Sequence, residues 1–169
     1  MKILLTLLLM ISIEAFPQSP EEKLKQINIQ LPEISQSLGS YVDVVKTGKL
    51  LYLSGKGPRK PDGKYITGKL GKDLTIQQGY EAARIAAINQ LAVLKKQVGD
   101  LSRIKRIVKV NGFVNSESNF YDQPKVINGF SDLIVAVFGD LGKHARTAVG
   151  TNVLPLNMAL EVEMVVELK

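Results

Sequence analysis

Residues 75–114, TIQQGYEAARIAAINQLAVLKKQVGDLSRIKRIVKVNGFV, set two hydrophobic periods back to back, and the fold class turns on them. Ile76, Tyr80, Ala83, Ala87, Leu91, Leu94 and Val98 recur at spacings of three and four, which draws one apolar stripe along a helix from Thr75 to Val98. Thr75 and Gln78 supply a capping box at its start and Gly99 a stop at its end. The many alanines between them predict close packing against a sheet. After Gly99 the period changes. Ile104, Val108, Val110, Gly112 and Val114 share one parity, so Arg103 to Val114 reads as a strand with one broadly apolar face.

The flanks extend this alternation. Upstream, Ser19-Pro20-Glu21-Glu22 opens a short helix that runs to about Ile29, with an oxygen-bearing cap, proline at the first position and acids near the positive end of the dipole. Val42 and Val44, then Lys49 to Ser54, make a hairpin about Thr47-Gly48. Gly55 to Lys72 has the glycine, proline and lysine content of a loop, with room for a short strand at Tyr65-Ile66-Thr67. Downstream, Val126, Phe130, Leu133, Ile134, Val137 and Phe138 mark a second helix that stops at Gly139 and Gly142. Thr147 to Val153 and Leu160 to Leu168 are two closing strands about a turn at Leu154-Pro155. The order β-β-α-β-α-β-β predicts an α+β fold in which both main helices pack on one face of a single mixed sheet. No element is left for the other face, and a second copy of the chain is the expected cover, giving a cyclic oligomer.

Composition narrows the chemistry. With 169 residues the chain reads as one ordinary domain, residues 20–169, behind an expected secretory signal at 1–19. In that leader Lys2 precedes an apolar run from Ile3 to Ile13, too short to cross a hydrocarbon layer of about 30 Å comfortably. Export is the expectation; the alternatives are a membrane-associating or buried N-terminal helix, and a cytoplasmic location. There is no cysteine and only one histidine, which excludes disulfide frameworks, zinc ribbons, thiol nucleophiles and a multi-histidine metal centre within one chain. A reaction must use carboxylates, guanidinium, hydroxyls and backbone groups. The net charge of +6 is concentrated between Lys46 and Lys109, a segment that could attract phosphates or anionic metabolites, or simply form a solvated basic face without aromatic platforms for nucleic acid.

Two residues stand out by type. In the last strand Glu161, Glu163 and Glu167 alternate with apolar residues, a pattern equally suited to an edge strand with its acids in water. Arg146 opens the preceding strand, and the Leu154-Pro155 turn could fold that strand back towards Glu161. Arginine and glutamate at a cleft can grip a carboxylate and place a water, respectively, although surface pairs of this kind are common. His144 reads as an ordinary surface or interface residue.

The run from His144 to Glu163, HARTAVGTNVLPLNMALEVE, resembles the signature of the Rid (YjgF, reactive intermediate deaminase) family: an Arg, a Leu-Pro eight residues later and a Val-Glu-like pair. Arg146, Leu154-Pro155 and Glu161 take those places. Tyr41, thirteen residues before Ser54-Gly55, and Asn128 ahead of the second helix extend the resemblance to about residues 38–168. A longer Phe120–Asn128 stretch, and Ala148 where many members carry cysteine, place the chain nearest a longer RutC/YjgF-like subgroup.

The resemblance implies a chorismate-mutase-like fold, a homotrimer whose sheets form an internal barrel, and active sites in clefts between subunits. The implied reaction is cofactor-independent hydrolysis of small 2-imino or 2-enamino acids to 2-oxo acids and ammonia. In it Arg146 binds the substrate carboxylate and Glu161 holds or deprotonates the water. Gly55 and Ala148 offer backbone N–H groups, Ser54 and Asn128 add hydrogen bonds, and Tyr41 closes the pocket. The alternatives from other classes are a non-catalytic trimer that binds small carboxylate metabolites, and an RNA-binding or endoribonuclease-like protein.

Overall fold

A computed structural model describes residues 18–34 and 39–169; the apolar run of the expected signal lies outside the described residues. In chain order the described elements are α1 (Pro20–Gln26), β1 (Val44–Thr47), β2 (Leu50–Lys56), α2 (Ile76–Val98), β3 (Ile104–Asn115), α3 (Gln123–Phe138), β4 (Ala145–Thr151) and β5 (Leu160–Leu168). The expected capping box of Thr75 with Gln78 forms, and the expected cap Ser19 makes a second one with Glu22. Gly99 ends α2 at φ 76°, in the left-handed region that glycine enters without a steric penalty.

The five strands form one mixed sheet in the order β1-β2-β5-β3-β4. β3 and β4 are parallel and every other neighbouring pair is antiparallel. β2 and β3 both run against β5 and therefore parallel to each other, so α2 is the crossover between them and α3 the crossover from β3 to β4. Both helices lie on the same face. Beneath them Leu51, Leu53, Val110, Val114, Leu160, Val162, Met164 and Val166 are buried. The alanines of α2 and Gly129 of α3 let the two helices approach closely: a Cβ on Gly129 would overlap the Tyr80 carbonyl. Among the described residues no helix lies on the opposite face. Val45 and Tyr52 of the hairpin and Val149 of β4 are exposed there, on the same side as Glu161, Glu163 and Glu167.

Four expectations need correction. β5 is the central strand rather than an edge; its perfect alternation of buried and half-buried residues reports one covered face and one open face, and says nothing of its neighbours. β4 does not fold back onto β5, because β3 lies between them. The Leu154-Pro155 connection crosses the end of β3, turning through Leu156 and Asn157, both at positive φ. In β3 Ile107 is buried beside Ile104 in place of Val108, because the register with β5 shifts at two places and each shift reverses the parity. Tyr65 to Thr67 makes only two isolated bridges, Arg59 with Tyr65 and Thr67 with Met158, and no strand.

Candidate active site in two halves

The first half lies on the open face where β2 meets β5. The register slips there: Leu53 opposes Met164 but Lys56 opposes Val162, so β2 holds one residue more than its partner. Gly55 occupies the bulge. A Cβ on it would overlap the Glu161 carboxylate, so only glycine lets that side chain lie flat against the backbone. Glu161 is half-buried, and burial is the main reason its carboxyl is pushed above the ordinary 4.5; neighbouring Glu163 adds to the rise and Lys56 opposes it. Lys56 is itself paired with Asp43 at 2.5 Å.

The Ser54 hydroxyl donates to the Val42 carbonyl at 2.7 Å and its N–H to the Asp43 carbonyl at 2.9 Å. Ser54 thereby pins the approach to β1, and its oxygen keeps lone pairs for a ligand donor. Tyr41 stands at the start of that approach, 55% exposed. It borders a groove of about 560 Å³ shared with Val42, Asp43, Val44, Val93, Lys96 and Gln97.

The second half sits at the other end of the strand order, between edge strand β4 and α3. Arg146 opposes Val110 of β3 and so projects to the helix side. Its Nη1 donates to Asn128 Oδ1 at 2.8 Å and to Ser131 Oγ at 3.0 Å, and its Nη2 to the Pro124 carbonyl at 3.5 Å. Among the described residues no carboxylate pairs with it. A half-buried guanidinium fixed by three uncharged oxygens keeps its full charge for an anion. Ala148, two residues on, faces the same side and packs against the core.

His144, read from the sequence as a surface or interface residue, is tied into this half-site. It is half-buried, with Nδ1 2.6 Å from the Gly142 carbonyl and Nε2 3.1 Å from Ser131 Oγ. The carbonyl can only accept, which places the proton on Nδ1 and leaves Nε2 to accept from Ser131. Burial holds the imidazole below its ordinary 6.5; the Gly142 carbonyl acts against this and the Arg146 charge with it. Ser131 thus links His144 to Arg146. Asn128, expected just ahead of the second helix, lies within α3, and the one sequence signal for Ser131 is its place three residues further on the same face.

The two halves do not meet within one chain. Glu161 opposes Phe113 and Arg146 opposes Val110, residues of β3 that point to opposite faces of the sheet. Ser54, Gly55 and Glu161 therefore lie on one side, and Asn128, Arg146 and Ala148 on the other, while Tyr41 borders the groove between the start of β1 and α2. Among the described residues no group of three or more histidine, aspartate or glutamate side chains is placed to hold a metal ion. No described helix is long and apolar enough to cross a membrane.

A family profile described as "YjgF/chorismate mutase-like, putative endoribonuclease" matches residues 21–168. Protein TCP17 of Trypanosoma cruzi is 44% identical over 146 residues, 86% of this chain and 91% of that protein. A 2-iminobutanoate/2-iminopropanoate deaminase of Dermatophagoides farinae is 29% identical over 139 residues, 82% of this chain and 93% of that protein. The crystal structure of Atu1372 from Agrobacterium tumefaciens superposes with a TM-score of 0.81 at 42% identity, covering 88% of this chain and 91% of that one.

Proposed function

The chain belongs to the YjgF/chorismate mutase-like family, and from that premise we propose that it hydrolyses small 2-imino acids to 2-oxo acids and ammonia in clefts between the subunits of a homotrimer. The observation that carries the reading is Arg146: a guanidinium oriented by Asn128, Ser131 and the Pro124 carbonyl, with no carboxylate of the described chain to neutralise it. Its planar fork matches the two oxygens of a substrate carboxylate.

An imine carbon is already electrophilic, so the protein's task is to orient it and place a water. Glu161 accepts a proton as the water oxygen bonds to the imine carbon, and the C=N bond becomes the C–N bond of a carbinolamine. The same carboxyl hands that proton to nitrogen to complete the carbinolamine, then takes the hydroxyl proton and passes it to nitrogen as the C–N bond breaks, the carbonyl forms and ammonia leaves. The bare Cα of Gly55 seats the Glu161 carboxylate, and Tyr41 forms a wall at the entrance. A neighbouring copy seated on the uncovered sheet face supplies the arginine half to the glutamate half. This accounts for two half-sites on opposite faces and for the exposed Val45, Tyr52 and Val149.

Ammonia release from freshly generated iminopropanoate tests the reading. The native protein is expected to accelerate it, and Arg146→Ala to lower kcat/KM by about 100-fold or more, the scale of losing a buried charge partner. Equal rates for the two proteins would reject it. Binding of 2-oxo acids without turnover would reassign the site to a carboxylate-binding module.

A further inference from the structure

One core side chain is left unused by this mechanism. Gln90 lies in the middle of α2 with 0% exposure, one turn after Ala86 and one turn before Leu94, all three on the buried face. A primary amide in an apolar layer is unfavourable unless its donors and acceptor are paired, so its partners are informative. Nε2 donates to the Ser54 carbonyl at 2.9 Å and to the Val162 carbonyl at 2.7 Å. These carbonyls belong to β2 and β5 at the place where the register slips. A bulge interrupts the strand ladder, and the amide stands in for the missing strand donors. Its orientation is fixed by chemistry, since exchanging nitrogen and oxygen would set one oxygen against two others. The buried Oε1 accepts no hydrogen bond among the described residues, so the amide is kept for its two donations.

We propose that Gln90 is a positioning residue: by clamping both carbonyls it holds the Ser54-Gly55 bulge in register, and the bulge in turn seats the Glu161 carboxylate against the bare Cα of Gly55. A regular β2–β5 ladder through this point would shift the residues after Leu53 by one and turn Gly55 away from the open face. The catalytic consequence rests on the deaminase reading of Glu161; the structural one does not.

The test uses the full-length protein and Gln90→Met, which keeps length and volume but has no donor. The titration of Glu161 is followed by NMR of carbon-13-labelled glutamate carboxyls, assigned with Glu161→Gln. In Gln90→Met the Glu161 midpoint is expected to move towards the ordinary glutamate value. On iminopropanoate kcat is expected to fall by about 10-fold or more, while KM, set by Arg146, stays within about 3-fold. Gln90→Asn keeps the amide but is one methylene too short to reach both carbonyls; it should shift both readouts the same way, and it decides the matter if Gln90→Met does not fold. A lower Tm with the Glu161 midpoint and kcat unchanged overturns the proposal, because a purely structural glutamine predicts that pattern. Absence of turnover in the native protein would defeat the deaminase reading alone, since the titration still reports on the clamp.

Discussion

Arg146 and Glu161 are prepared in opposite ways. The arginine is surrounded by neutral acceptors, so its charge is oriented and left free; replacing it with lysine keeps the charge but loses the fork. Arg146→Lys is therefore expected to retain the fold and lose about 10- to 100-fold in kcat/KM, mostly through KM, as steady-state kinetics with iminopropanoate would show. Glutamate 161 is held above its ordinary 4.5, chiefly by burial, and must be ionised to take a proton from water. The acid limb of the rate profile should therefore lie above pH 4.5 and vanish, with the activity, in Glu161→Gln.

The same shift has a stability consequence. A raised folded-state value means the folded chain binds this proton more tightly than the unfolded one. The contribution of Glu161 therefore becomes more favourable as pH falls through the raised value, and at neutral pH it is unfavourable. Glu161→Gln should accordingly melt at least as high as the native protein at pH 7, with the difference shrinking in acid; a clear loss of Tm at pH 7 would contradict this. Arg146 and Glu161 were recognisable in the sequence by motif. Ser131 and Gln90 were not: a serine on a helix face and a glutamine in an alanine run acquire meaning only when β4 and the β2 bulge come to rest beside them.

At the scale of elements, hydrophobic period was a reliable guide wherever the ladder was regular. α2, α3 and β5 occupy nearly the residues their stripes predicted. β3 deviates because two bulges each add a residue, and Ile107 replaces Val108 in the core. No period in the sequence announces a bulge. The alanine content of α2 was read as close packing against the sheet; the helix-to-helix approach was not anticipated, and Gly129 of α3 carries much of it. Gly129→Ala pushes a methyl group into the Tyr80 carbonyl, which helix backbone cannot readily yield; a loss of about 3 kcal/mol is expected. In a thermal melt this appears as a fall in Tm of roughly 10 °C, and a fall of only a degree or two would mean that the helices separate easily.

For the whole molecule, the pattern showed that one sheet face would lack a cover, because two main helices can be charged to only one side. Strand order was not readable: alternation records which face is buried and is silent about which strand lies alongside. The acids of β5 thus looked like a rim and lie instead in the middle of an open face. That position sets Arg146 and Glu161 on opposite sides of one chain, so the proposed active centre requires two copies. Complementation measures this directly. Arg146→Ala and Glu161→Gln proteins, each inactive alone, are unfolded together, refolded as a mixture and assayed for ammonia release from iminopropanoate. Random assembly joins an intact arginine to an intact glutamate in about a quarter of the clefts, so about a quarter of native activity should return; a mixture as inactive as its two components would contradict a site built between subunits.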